Sequence, residues 1–127
     1  MTHYFLDSSA LLKRFVSETG SGWIHIITGM GSANIISIAQ ITSVEVVSGI
    51  MRRLREGKIS AQTAHIARTA MDGRVSSQSY TVVYLTTAVV QNAEDLLERH
   101  PLRAYDAVQL ASALEANARL VAAQPHR

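Results

Sequence analysis

Short apolar runs alternate with longer segments of mixed polarity along the chain, and this alternation predicts strands joined by helices. Three runs have the length and the apolar, aromatic or β-branched composition of buried strands: His3 to Leu6, Ile35 to Ile38 and Tyr80 to Leu85. Strands that alternate with helices form a parallel sheet whose two faces are covered by those helices. The pattern therefore predicts an α/β fold with a parallel sheet.

Polar residues and glycines at the ends of the intervening segments predict where the helices begin and end. Asp7, Ser60 and Thr86 are residues favoured as helix N-caps. Gly57 is typical of the position just after a helix. The predicted helices cover residues 10–17, 23–28, 42–57, 60–75, 86–99 and 102–120.

Composition narrows the class of protein. A length of 127 residues fits one domain with a single core, so we expect one domain over residues 1–127. No run approaches the roughly 20 apolar residues of a membrane span, and the first residues lack the basic region of a signal peptide. The absence of cysteine excludes disulfides, thiolate metal sites and cysteine nucleophiles. These features favour a cytoplasmic protein with no membrane partner.

The charge of the chain permits a nucleic-acid partner without requiring one. The formal net charge is +2 and the pI is near 9.3. Four cations, Arg52, Arg53, Arg55 and Lys58, lie close together in the sequence. Such a cluster is ordinarily a solvated helix end, where cations suit the helix dipole. Contact with a phosphate backbone is the less common interpretation.

Three isolated carboxylates interrupt apolar segments and are the candidate functional residues. Asp7 follows the first predicted strand, Glu45 is three residues after Thr42, and Asp106 lies in the first turns of the last predicted helix. Taken singly, they are explained by an N-cap, a capping box and the helix dipole. Together they would surround the carboxyl edge of one sheet, where α/β proteins form their sites. Clustered carboxylates repel each other unless a cation is bound, so the three acids predict a divalent metal site.

The ligand chemistry predicts the ion and argues against other classes of enzyme. Oxygen ligands without cysteine favour Mg²⁺ or Mn²⁺ over zinc, and the five histidines lack metal-ligand spacing. No P-loop, G-x-G-x-x-G or G-x-S-x-G motif is present. A phospho-receiver domain would need further acids near its first strand and a lysine after one of its last strands, and neither is evident. A haloacid-dehalogenase-type phosphatase would need Asp-x-Asp where this chain has Asp7-Ser-Ser9.

Three motifs of the chain resemble those of PIN-domain ribonucleases. The segment Tyr4 to Lys13 resembles the first motif of that family, Thr42-Ser-Val-Glu45 the second, and Leu102 to Ala113 the third, in the same order and at similar spacing. The resemblance is strongest to the VapC-type toxins of bacterial toxin–antitoxin pairs. It implies a three-layer α/β/α PIN-like fold.

The resemblance also implies an activity, a cofactor and partners. The activity is that of an endoribonuclease that hydrolyses RNA phosphodiester bonds, and the cofactor is Mg²⁺ or Mn²⁺. The partners are the RNA substrate, a cognate antitoxin and further copies of the chain in a homodimer or larger homo-oligomer. By motif position, Asp7, Glu45 and Asp106 correspond to the catalytic and metal-binding acids, and Ser8 to a nearby hydroxyl.

The chain departs from the family's pattern after the third motif. PIN domains usually continue into a strand that carries a Ser/Thr-x-Asp motif and pairs with the first strand, whereas the only acid after Asp106 here is Glu115. We therefore expect a C-terminally incomplete domain without the usual C-terminal strand, with weak metal binding and low activity. An exposed edge at the first strand would recruit another chain. The alternative is a non-catalytic PIN-like protein that binds RNA or a partner.

Overall fold

Three strands and six helices make up the described part of the chain. The structure is a computed structural model, and it describes residues 2–29 and 31–124. In chain order the elements are β1 (His3–Phe5), α1 (Ser8–Phe15), α2 (Ser21–Thr28), β2 (Ile35–Ala39), α3 (Thr42–Arg55), α4 (Ala61–Ser76), β3 (Thr81–Val83), α5 (Thr87–Arg99) and α6 (Ala104–Ala123).

The strands form one parallel sheet with the order β1-β2-β3. Tyr4 is the partner of Ile36, and Ile38 is the partner of Val82. The predicted parallel sheet with helices on its faces is confirmed. Within the described residues β1 pairs with β2 alone, so β1 lies at an edge of the sheet. Recruitment of another chain to that edge stays a prediction.

One face of the sheet carries the larger apolar core. The helices α1 to α4 contribute to a cluster in which Leu11, Ile50 and Met71 are completely buried. Burying each such aliphatic side chain contributes roughly 1.5–3 kcal/mol. The helices α1 and α3 approach closely because residue 49 is glycine. A Cβ at Gly49 would lie 2.9 Å from Cδ2 of Leu12.

The other face is covered by α5 and α6 and has a smaller core. Val89, Ala93, Leu96, Ala107 and Ala111 form its buried cluster. The C-terminal half of α6 leaves two clefts of about 150 and 170 Å³ above the sheet, both lined by His3, Ser37, Ala116 and Leu120. In residues 2–29 and 31–124, no helix combines the length and the hydropathy that a bilayer crossing requires.

The observed element ends confirm most of the predicted boundaries. The side chains of Asp7, Ser60 and Thr86 each accept a hydrogen bond from a backbone N–H in the first turn of their helix. The third strand is shorter than predicted, because the chain turns after Val83. The backbone N–H of Leu85 donates to the side chain of Gln40 at 2.8 Å instead of continuing the ladder.

Candidate functional site

The helices that carry the three acidic motifs meet at the carboxyl edge of the sheet. The strands β1 and β2 end at Phe5 and Ala39, and α1 and α3 begin shortly afterwards. The helix α6 reaches the same edge, because Nε2 of Gln109 donates to Oγ1 of Thr42, in the first turn of α3, at 2.9 Å. This is the edge at which open α/β sheets bind ligands.

Asp7 is exposed and is the N-cap of α1. Its Oδ1 accepts hydrogen bonds from the backbone N–H of Ala10 at 2.9 Å and from the hydroxyl of Ser9 at 3.0 Å. The predicted capping role is confirmed. Both bonds fall on one carboxylate oxygen, and a carboxylate has acceptor capacity on two. The cap therefore leaves capacity for a further ligand.

Glu45 does not form the capping box that its spacing from Thr42 suggests. The N-cap of α3 is Ile41, which makes no side-chain capping bond, and Thr42 already lies within the helix. The buried hydroxyl of Thr42 bonds to Gln109 instead. Glu45 is half-buried, and its Oε1 accepts from Nε2 of Gln109 at 2.9 Å. The carboxylate of Glu45 is therefore held by α6.

Asp106 is exposed in the first turn of α6, where its charge suits the helix N-terminus. Gln109 follows one turn later and is buried. Ser8, the first residue of α1, is partly buried. These positions bring the three acids to one edge of the sheet. The shared role assigned to them from the sequence stays a prediction.

A cleft of mixed polarity, about 460 Å³ in volume, opens between α1, α3 and the start of α6. Each motif contributes to its lining, through Ser8, Glu45 and Tyr105. Arg52 and Arg53 line it as well. Asp7 and Asp106 do not line this cleft, but they are the chain neighbours of Ser8 and Tyr105, which do. The cleft thus combines hydroxyl, carboxylate and guanidinium groups, a set that can bind a phosphate and hold a cation beside it.

The cations of the basic cluster identified in the sequence make different contacts in the structure. Arg53 pairs with Glu18 and donates to the carbonyl of Gly49 at 3.0 Å, so its charge is used within the fold. Lys58 lies 3.7 Å from the carboxylate of Glu56. Arg52 is exposed at the cleft, and no ion pair reaches it from the part of the chain that the structure describes. Arg52 is the cation best placed to meet a phosphate.

The donor chemistry of this edge suits a hard cation, although its acids do not form a closed ligand shell. Among residues 2–29 and 31–124, no three histidine, aspartate or glutamate side chains are grouped closely enough to hold a metal ion. Mg²⁺ usually keeps several of its waters and is bound through only one or two carboxylates. The residues present therefore fit an ion held by two carboxylates and water better than one held by three acids.

Sequence reasoning missed two residues of this region, Gln109 and Tyr105. Gln109 is the one polar side chain in the run Ala107-Val-Gln-Leu-Ala111, and a buried amide needs partners. The sequence therefore indicated that Gln109 needs hydrogen-bond partners, but it did not indicate that those partners are Thr42 and Glu45. Tyr105 is 58% exposed, although it lies in the first turn of a helix with an apolar face.

Comparison with known proteins gives the family. The sequence profile of the PIN domain family matches residues 4–124. The chain therefore belongs to the PIN domain family, and its parallel sheet and helices are consistent with the three-layer α/β/α fold. Membership indicates a nuclease-like fold, and PIN domains generally use divalent metal ions. A search of curated proteins gave no match.

Proposed function

We propose that this protein is an Mg²⁺- or Mn²⁺-dependent endoribonuclease that hydrolyses RNA phosphodiester bonds, and that it acts as a VapC-type toxin of a type II toxin–antitoxin pair. The observation that carries the proposal is the meeting of the three PIN motifs at one cleft. Ser8, Glu45 and Tyr105 line it together with Arg52.

The proposed roles follow from the position and exposure of each side chain. The exposed carboxylates of Asp7 and Asp106 would hold the ion, and the chemistry it would supply there is polarisation of the phosphate and activation of water. Glu45 would complete the shell of the ion or orient the attacking water, because its carboxylate is fixed by Gln109. The hydroxyl of Ser8 donates to a phosphate oxygen, and Arg52 neutralises the charge of a neighbouring phosphate.

Tyr105 supports an unpaired stretch of RNA as the substrate. Its ring lines the cleft and is largely exposed. An exposed aromatic ring beside a cation offers a stacking surface for an unpaired base, whereas bases within a duplex are already stacked. We therefore expect cleavage in single-stranded or loop regions.

The proposed partners are a cognate antitoxin and a second copy of the chain, in the cytoplasm. The antitoxin rests on the resemblance of the motifs to VapC-type toxins. A homodimer or larger homo-oligomer is supported by the edge position of β1. It is also supported by exposed apolar side chains on α6, among them Leu110, Leu114 and Val121. Sedimentation across a dilution series tests the assembly, and a stable monomer at micromolar concentration would contradict it.

The activity is tested by incubating purified protein with labelled RNA that contains both duplex and single-stranded regions. We expect cleavage in Mg²⁺ or Mn²⁺ and none in EDTA. Asp7→Asn should lower the rate by roughly 100-fold or more, because even residues that only support metal ligands account for about 10- to 100-fold effects. Asparagine is also a good N-cap, so the variant should keep the fold.

Asp72→Asn is the matched control for the loss of one exposed carboxylate. Asp72 pairs with Arg68 on the surface of α4 and does not line the cleft. This variant should cleave at the parental rate. Equal cleavage by the Asp7→Asn variant and the parent would contradict the proposed site. RNA binding without metal-dependent cleavage would instead favour a non-catalytic PIN-like binding protein.

A further inference from the structure

We infer that Gln109 is a positioning residue that fixes the carboxylate of Glu45 relative to the start of α6, and that divalent-ion binding depends on it. The inference rests on the proposed function. Gln109 is only 9% exposed and lies on α6 one turn after Asp106. It therefore belongs to the same rigid helix as one proposed metal ligand and contacts a second acidic residue on α3.

The side-chain amide of Gln109 uses both of its N–H groups across the boundary between the two helices. Nε2 lies 2.9 Å from Oγ1 of Thr42 and 2.9 Å from Oε1 of Glu45. An amide nitrogen has two hydrogens, so these contacts occupy its full donor capacity. The bond to Glu45 is charge-assisted, and such bonds are shorter and stronger than neutral ones. It restricts the rotation of a long side chain that is only half-buried.

The orientation of the amide is determined by its partners. Rotating it by half a turn would place its oxygen against the carboxylate of Glu45, where two acceptors would repel each other. In the observed orientation, Oε1 of Gln109 is buried and accepts no hydrogen bond from the described residues. A buried acceptor without a donor is costly and uncommon in packing contacts. A glutamine that served only to fill the core would be replaced at lower cost by an apolar residue.

Gln109 fixes the position of the second acidic motif relative to the third. Glu45 and Asp106 lie on different helices, and the described bonds that cross from α6 to α3 run through Gln109. Removing this bridge releases the carboxylate of Glu45 while leaving every proposed metal ligand chemically intact. Metal affinity and turnover should therefore fall in a variant that has lost no acidic residue.

The test is an isothermal titration of the full chain with Mn²⁺, followed by steady-state RNA cleavage. Gln109→Met keeps the length of the side chain and removes its hydrogen bonds. We expect about 10-fold weaker Mn²⁺ binding, the lower end of the effect of removing partners that orient metal ligands. At saturating Mn²⁺ we expect a lower kcat with an unchanged KM for RNA. Gln62→Met, at an exposed position of α4, should match the parent in both.

Thr42→Val separates positioning from a purely structural role. It removes the other acceptor of the amide at a fully buried position, so it should lower the unfolding temperature. Because the bond to Glu45 remains, Mn²⁺ affinity should stay within about 2-fold of the parent. If Gln109→Met does not fold, Gln109→Asn carries the same expectation, because its shorter amide cannot span both partners.

The Mn²⁺ titrations distinguish failure of the inference from failure of the proposed metal site. Parental Mn²⁺ affinity and kcat in the folded Gln109 variant would overturn the inference and leave the proposed function standing, provided that Asp7→Asn abolishes Mn²⁺ binding. If the parent binds no Mn²⁺, or Asp7→Asn binds it as tightly as the parent, the proposed metal site itself fails and the inference fails with it. Weaker binding by the Gln109 variant, but not by Thr42→Val, supports the inference.

Discussion

The two faces of the sheet are built differently. On the face covered by α1 to α4, long aliphatic side chains such as Leu11, Ile50 and Met71 are completely buried. On the face covered by α5 and α6, much of the buried cluster is alanine, and clefts remain beneath the C-terminal half of α6. Most of the apolar stabilisation therefore comes from the first face.

The candidate site lies where these two layers meet. Glu45 belongs to α3, in the closely packed layer of helices α1 to α4. Asp106 belongs to α6, in the less closely packed layer of α5 and α6. The bridge between them is the polar contact of Gln109 with Thr42 and Glu45. A site that spans two layers in this way depends on hydrogen bonds for its geometry, whereas the fold depends on the core of one layer.

The largest expected effect on stability comes from shortening a core side chain on the closely packed face. Ile50→Ala should lower the free energy of unfolding by about 2–5 kcal/mol, because Ile50 is completely buried and leaves a cavity. Leu120→Ala, at the clefts beneath α6, should cost no more than about 1 kcal/mol because its side chain is already partly exposed. Urea unfolding of both variants measures the difference, and equal losses would contradict the comparison.

An added methyl group should be tolerated in a helix only where space exists. The Cβ of Gly49→Ala would lie 2.9 Å from Cδ2 of Leu12 and 3.4 Å from Nη1 of Arg53. Overpacking costs about 1–3 kcal/mol, partly offset by a gain of about 1 kcal/mol in helix propensity, so we expect a net loss of about 1 kcal/mol. Gly73→Ala meets no atom within 4 Å and should gain about 0.5–1 kcal/mol. A gain in both variants would show that α1 and α3 have room to separate.

A smaller effect is expected at Tyr80, which is 3% exposed on the packed face. Its hydroxyl is buried without a partner among the described residues, so Tyr80→Phe should change the free energy of unfolding by less than about 1 kcal/mol at neutral pH. Burial raises the pKa of Tyr80, against the opposing influence of Arg74 and Arg14.

The raised pKa of Tyr80 also predicts a dependence of stability on pH. As the pH rises through about 10, the ordinary pKa of tyrosine, the unfolded chain releases this proton and the folded chain retains it. Ionisation then favours the unfolded state, so stability falls with rising pH. Tyr80→Phe should make this fall shallower in unfolding experiments across that range. Parallel curves for parent and variant would show that Tyr80 makes no such contribution.

Local features of the fold could be predicted from the sequence, and contacts between distant segments could not. The N-caps Asp7, Ser60 and Thr86 were predictable because a cap involves neighbouring residues only. The capping-box interpretation of Glu45 was wrong because its partner, Gln109, is 64 residues away. The acidic motifs indicated the edge of the sheet at which we propose the site. The Gln109 bridge and the contribution of Tyr105 to the cleft arise from the docking of α6, which no local pattern encodes.

The proposed activity requires that the acids at the carboxyl edge bind a divalent ion. The most direct measurement is an anomalous difference map from crystals of the full chain grown in Mn²⁺. We expect one peak at about 2.1 Å from carboxylate oxygens of Asp7 and Asp106, a distance typical of a small hard cation. A peak at another place on the chain would contradict it. So would the absence of any peak at an Mn²⁺ concentration that supports cleavage.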